Sequence, residues 1–350
     1  MKKCVALSIF IYFLPVFLFS VDKIEVELID QFYLDQSKEF LGRPKDIAID
    51  NEENIFVTDS ATSNIKIYNS SGLLIKTFGR KGGGPGEFLK PWTIDYHKGR
   101  FCVQDVGLFK YLIFNKDFEE ITRFFYLVDG DDFVLQDNRI ISNDYFKDKN
   151  GNDFRGIIMN FCGKVMKVLM PIKFGINDAW NRITNSKAFV DVSNREEIYF
   201  VKERDVKFFK FDKKGNFLNN FGKNPSYFIS CRKTKDFEHT FFTNDPNRRY
   251  SWERWRRSST WVSGIFVLED FLGIAIRKYN NKINKWECFL LFYDLDSNLL
   301  NEGIKIIEAG TSSDEGFFIY SNHKDRIYIL EIFEGEQPRY KFYKYKVKRK

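Results

Sequence analysis

The stretch from Pro44 to Pro91 reads PKDIAIDNEENIFVTDSATSNIKIYNSSGLLIKTFGRKGGGPGEFLKP, four short apolar runs separated by polar turns and followed by a glycine-rich connector. Short runs rich in Ile, Val, Phe and Tyr, broken by Asn, Asp, Ser and Gly, predict consecutive antiparallel strands. β-branched and aromatic side chains suit a pleated, half-buried surface, and the interrupting residues suit tight turns. The pattern returns at intervals of roughly fifty residues, which predicts radial repetition of a small sheet, an all-β propeller.

Six four-stranded antiparallel blades are expected, near Lys45–Phe78, Trp92–Phe125, Asp132–Met170, Ala188–Phe221, Val262–Ile307 and Gly316–Val347. In the first, strands are predicted at Asp46–Ile49, Ile55–Thr58, Ile65–Tyr68 and Leu73–Phe78, and the turn Asn69-Ser70-Ser71-Gly72 is echoed in the fourth blade by Asp212-Lys213-Lys214-Gly215. Ile24–Tyr33 reads as a strand without a blade of its own. An open ring would leave apolar sheet faces and edges wet, so this segment is expected to join the last blade as its outer strand and close the circle.

The amino terminus carries Lys2 and Lys3, then a nearly uninterrupted apolar run from Val5 to Phe19 and small Ser20 before Val21-Asp22-Lys23. That run is shorter than the roughly twenty residues needed to span a bilayer, and the arrangement is that of a cleavable export leader over residues 1–20. Residues 21–350 are then expected to form one domain in the periplasm or outside the cell, with no transmembrane span and as a monomer. Cys102, Cys162, Cys231 and Cys288 would remain, without a CxxC pair among them. Export permits disulfides, yet isolated cysteines on strands are commonly buried small apolar residues.

Aromatic residues make up 18% of the chain, with 39 Phe and 17 Tyr, enough flat rings to fill the wedges between neighbouring blades. The formal net charge is +7, of which Lys2 and Lys3 would leave with the leader. So mild an excess biases the surface toward anionic partners at most and argues against nucleic acid.

The first blade resembles the NHL repeat. Pro44 with Asp46-Ile47-Ala48-Ile49-Asp50 is similar to its opening, Asn54-Ile55-Phe56-Val57-Thr58-Asp59 to its core, and Asn64-Ile65-Lys66-Ile67-Tyr68 with Gly72 to its close. The connector Gly83-Gly84-Pro85-Gly86-Glu87-Phe88 is similar to those of secreted bacterial six-bladed propellers. The likeness spans one blade and implies fold and secretion. Physically the same connector is a tight passage between blades, since its glycines admit positive φ and Pro85 fixes one turn. A phosphate-binding loop would end in Gly-Lys-Ser/Thr at a helix start, whereas this one enters a strand.

Asp59, Asp105, Asp144 and Glu203, with Glu331 in the sixth blade, follow the second predicted strands at corresponding places. They could gather as a site for a hard cation, or each could cap its own turn by accepting backbone N–H bonds. The insertion at about residues 222–261 concentrates Arg248, Arg249, Trp252, Arg254, Trp255, Arg256 and Arg257. Arginine forks bind carboxylate, sulfate or phosphate, and tryptophan faces stack on sugars or cations, so the segment could recognise an anionic small molecule, a glycan or a protein. Alternatively Trp252 and Trp255, three apart on a short helix, pack down while the arginines pair with acids.

His97, His239 and His323 lie far apart in sequence and form no HxH or HxxxH spacing, and no GxSxG elbow occurs. The reading that follows is a noncatalytic binding platform without cofactor. The alternative is a metal-dependent hydrolase or lactonase, holding Ca or Zn on axial carboxylates.

Overall fold

The computed structural model describes residues 24–125, 132–172, 188–230, 248–301, 303–309, 317–333 and 337–350. The leader expected at residues 1–20 and Cys231 lie outside these, and so does much of the insertion. Among the described residues no helix is long and apolar enough to cross a membrane.

Six four-stranded antiparallel sheets are arranged as blades around a central channel. Blade I comprises Pro44–Ile49, Ile55–Asp59, Asn64–Tyr68 and Leu74–Phe78. Blade II comprises Pro91–His97, Arg100–Asp105, Lys110–Asn115 and Glu120–Phe125. Blade III follows with Phe133–Gln136, Arg139–Lys147, Asp153–Asn160 and Val165–Ile172, and blade IV with Ala188–Val192, Ile198–Lys202, Asp205–Phe211 and Phe217–Phe221. Blade V holds Thr260–Val267, Phe271–Asn280, Lys285–Asp294 and Ile304–Ala309. Blade VI takes Phe317–Ser321, Arg326–Phe333 and Arg339–Arg349 from the end of the chain, and its fourth strand, Ile24–Tyr33, from the beginning.

Each blade starts at the channel and ends at the rim, so each first strand packs beside the first strands of the neighbouring blades, from I round to VI and back to I. Between every adjacent pair lies an apolar cluster. Phe56, Ile65 and Ile67 of blade I meet Ile94, Phe101, Leu112 and Phe114 of blade II, and Trp286 and Phe292 of blade V meet Ile327, Tyr343 and Tyr345 of blade VI. Rings fill these wedges by tilting on one another. Phe78 stands edge-on to Phe114 at 5.1 Å and to Phe88 at 5.8 Å between ring centres, and Phe208 stacks on Phe221 at 4.9 Å. Cys102 and Cys288 are buried in this core as free thiols, and Cys162 is exposed and free.

The two echoing turns form as their sequences require. Gly72 and Gly215 donate to the carbonyls of Asn69 and Asp212 at 2.9 Å with φ of 83° and 78°, a left-handed conformation that glycine adopts without strain. Blade V begins earlier than predicted, because Thr260, Trp261 and Val262 already pair with Lys278, Arg277 and Ile276. The end of the insertion is therefore a helix, Arg248–Arg257, running almost directly into the channel strand of blade V.

Closure of the ring depends on the first described strand. Ile24 to Tyr33 pairs antiparallel with Arg349 to Lys341, interrupted by a bulge at Leu28/Asp30. Phe32 stacks on Phe342 at 5.4 Å, and Glu27 and Glu25 pair with Lys348 and Lys350. A chain beginning at Asp35 is expected to melt on the order of 10 °C lower, as several kcal/mol of apolar burial and pairing are lost. A differential scanning calorimetry trace unchanged by the truncation would refute this closure.

Candidate functional site

The first strands of all six blades enclose a cavity of about 280 Å³ on the propeller axis. Its wall carries an aspartate from each of the first four blades, Asp46, Asp95, Asp132 and Asp191. A channel strand has a sheet neighbour on one side only, so some of its backbone N–H groups need another acceptor. The aspartates supply it across the seams between blades. Asp46 Oδ2 accepts from Ile94 N at 3.0 Å, Asp95 Oδ2 from Leu135 N at 2.7 Å, Asp132 Oδ2 from Val190 N at 2.8 Å and Asp191 Oδ2 from Val267 N at 2.7 Å. For Asp46, Asp95 and Asp191 the other oxygen accepts the N–H of the next residue in its own strand. Between blades V and VI the Ser321 hydroxyl donates to Val267 O at 2.9 Å instead.

The end of the channel where the first strands finish gathers Asp95, Asp191, Tyr320 and His323. Tyr320 OH lies 3.2 Å from Asp95 Oδ1 and 3.3 Å from Tyr96 O. His323 Nδ1 lies 3.9 Å from Asp191 Oδ1, and the His323 side chain keeps 34% of its surface exposed while lining the cavity. Burial raises the Asp95 carboxyl to about 7, against the pull of the Leu135 N–H and of His323. It raises Asp191 to about 7 as well, while burial pushes the His323 imidazole below its ordinary value.

At the opposite end the helix contributes Arg256 to the cavity wall. Arg256 and Glu203 line the cavity there, 3.5 Å apart between Nη1 and Oε1. The Arg256 guanidinium lies 4.1 Å above the Trp261 ring, whose Nε1 donates to Arg256 O at 2.8 Å. Trp255, expected as a possible stacking face for a ligand, is fully buried and stands edge-on to Trp261 at 5.4 Å. The Arg204 guanidinium lies over both rings, at 4.6 and 4.3 Å. Trp255 therefore anchors the helix and offers no free face, which corrects that expectation: a large apolar indole gains more by burying its rings than by staying in water. Arg257 lies 3.9 Å from Glu253 and 4.7 Å above the Tyr279 ring, and Arg254 is exposed. The side chains of Arg248, Arg249 and Trp252 lie outside the described residues.

The acidic strand ends separate into two kinds. Asp59 accepts from Gly42, Arg43 and Ala61 N at 2.7, 2.8 and 3.0 Å. Asp105 accepts from Leu89, Lys90, Gly107 and Leu108 N at 2.8, 3.0, 2.8 and 2.9 Å. Both staple the entry of a blade to its second strand. Asp144 lies inside its strand, taking the Ser142 hydroxyl at 2.7 Å and the Tyr111 hydroxyl at 3.1 Å. Glu203 faces Arg256, and Glu331 accepts from Tyr343 OH at 2.8 Å. Among the described residues no three His, Cys, Asp or Glu side chains converge as a metal ion would require.

Asp95, Asp191 and Tyr320 were not singled out from sequence, and His323 was weighed there only as a zinc ligand and set aside for want of HxH or HxxxH spacing. The available signal was an aspartate interrupting the apolar channel strand in blades I, II and IV, which the repeat pattern absorbed as ordinary punctuation.

Residues 33–200 match the sequence profile of a family described as a 6-bladed beta-propeller. No curated protein matches the chain. Among solved structures, a Bacteroides fragilis NCTC 9343 protein thought to be exported is similar with a TM-score of 0.56 and 17% identity, covering 93% of this chain and 95% of that one. A member of the DUF4221 family from Bacteroides vulgatus ATCC 8482 superposes with a TM-score of 0.65 at 12% identity, covering 94% and 99%. Virginiamycin B lyase from Staphylococcus aureus reaches 0.48 at 10% identity, covering 92% and 99%, too remote to argue from. At these identities the likeness concerns the fold.

Two outcomes test this geometry. Asp105→Ala strands buried N–H groups at about 1–3 kcal/mol each, so urea denaturation should show a loss of at least about 3 kcal/mol; a loss under about 1 kcal/mol would contradict the stapling role. The second concerns pH. With folded-state values near 7, Asp95 and Asp191 hold protons that ordinary carboxyls near 3.8 have released, so their contribution to stability is present at low pH and is lost as pH rises through about 7. His97 and His323, held below 6.5, act oppositely once the pH falls beneath that value. The melting temperature should therefore rise from pH 8 to pH 6.5, and Asp191→Asn should flatten that rise. An identical slope in the variant would remove Asp191 as its source.

Proposed function

We propose that this protein is an exported, noncatalytic binding propeller that takes a small ligand in its axial channel, with the Arg256 helix over one mouth. The observation that carries this reading is the axial cavity of about 280 Å³, walled by all six blades, with a few polar groups converging on it. Concave, largely preformed sites with a small number of placed polar groups are where small molecules bind. The leader-like amino terminus and the NHL-like first blade support the export half of the reading. The rival, a metal-dependent hydrolase, needs a convergent ligand set. The candidate carboxylates instead spend their oxygens on the backbone, on the Ser142, Tyr111 and Tyr343 hydroxyls and on arginine.

Ser263 lines the channel and is half-buried, so Ser263→Trp would fill the lumen. In a thermal-shift screen of small metabolites, compounds that raise the melting temperature of the native protein by binding its folded state should lose that effect on Ser263→Trp. Shifts of equal size in both proteins would place binding elsewhere and overturn the reading.

A further inference from the structure

The axial cavity has a chemical bias that its size alone does not convey. Four aspartates face it in a chain whose formal net charge is +7. Their seam bonds use one lone pair on each engaged oxygen, and above about pH 7, the value to which burial raises Asp95 and Asp191, the carboxylates carry their negative charge. At the mouth Arg256 and Lys45 line the cavity, Arg256 facing Glu203 and Lys45 lying 4.2 Å above the Trp92 ring. The far end differs. Among the described residues neither Asp95 nor Asp191 has a Lys or Arg partner, and the basic group beside them, His323, has the Asp191 contact at 3.9 Å and no hydrogen bond.

The rest of the lumen wall discriminates among cations. Phe189, Phe318 and Tyr320 line the same cavity and are half-buried, and aromatic rings attract organic cations through the ring quadrupole. A divalent metal would need several free carboxylate oxygens on one point. Both oxygens of Asp95 and Asp191 already accept backbone N–H groups, and among the described residues no suitable cluster forms. An ammonium or guanidinium asks less. It donates to the remaining lone pairs of carboxylates that are themselves held rigid by the seams, and it rests its alkyl or aryl body on the rings. The cavity, at about 280 Å³, lies just under the roughly 300–1,000 Å³ common for small-molecule pockets.

We propose that the channel is a site for a small organic monocation, a primary amine or a guanidinium, held by Asp95 and Asp191 with Tyr320 as an aromatic wall. This rests on the channel being the binding site, and it replaces an anionic ligand with a cationic one.

Isothermal titration of the full mature chain with benzylamine, benzamidine, benzyl alcohol, benzoate and calcium chloride tests it. Benzylamine or benzamidine should bind with one-to-one stoichiometry and at least about tenfold more tightly than benzyl alcohol, a difference of about 1.4 kcal/mol. Asp191→Asn, nearly isosteric, should weaken the amine by about tenfold or more. Should that variant fold poorly, His323→Lys introduces a positive charge into the lumen without touching a seam bond, and it should abolish amine binding while circular dichroism stays native. Amine binding unchanged in a folded His323→Lys protein, or no amine binding up to about 10 mM, a Kd whose free energy falls below about 3 kcal/mol, would overturn the proposal. If benzoate or calcium binds better than the amines and Ser263→Trp abolishes it, the organic-monocation proposal fails while the channel reading stands. Amine binding that survives Ser263→Trp would sink both.

Discussion

The architecture hangs on how the channel strands satisfy their backbone. A propeller fans its blades around an axis, so each first strand has a hydrogen-bonded neighbour on its outer side and none on its inner side. Here four aspartates bridge the resulting gaps, each accepting a backbone N–H from the following blade. Burying a carboxylate is costly unless it is well hydrogen-bonded. Bonds between an ionised acceptor and backbone N–H groups are among the stronger ones available, so a short, rigid Asp is a suitable bridge. The bridges also set blade spacing, because their length leaves little play between one first strand and the next.

The same bridges give the channel its character. Carboxylates placed to join blades necessarily point their charge at the axis, where solvent is scarce. Burial then raises Asp95 and Asp191 to about 7, so the lumen turns anionic only above that pH, while the molecule as a whole is basic. On this view the electrostatics of the proposed site is a consequence of how the ring is assembled. Outside the channel the blades are held by apolar wedges instead, and the helix at the mouth follows that pattern: Trp255 and Trp261 bury each other, and Arg204 and Arg256 cover their faces.

Much of the fold was legible. Four apolar runs with Asn, Asp and Gly between them became the blade Pro44–Phe78, and the run Ile24–Tyr33, expected as the closing strand, became the outer strand of blade VI. These follow from local chemistry, since alternation and turn residues act over a few positions. The site was far less legible. The prominent residues of the insertion drew attention by their density, yet Trp255 proved to be an internal anchor. Asp59 and Asp105 looked equivalent to Asp144 because all follow similar apolar runs, but Asp144 sits within a longer strand and bonds to side-chain hydroxyls.

By itself the sequence determined the class of fold, the repeat, the closing strand and the turns, because each is dictated by propensities and periodicities of neighbouring residues. Only the tertiary structure decided which acids meet. Asp95 and Asp191 lie 96 positions apart in the numbering, and Tyr320 and His323 come from the far end of the chain. They share one cavity because six blades return the backbone to the same axis six times. That convergence is a property of the closed ring, and no stretch of the chain shorter than the ring contains it.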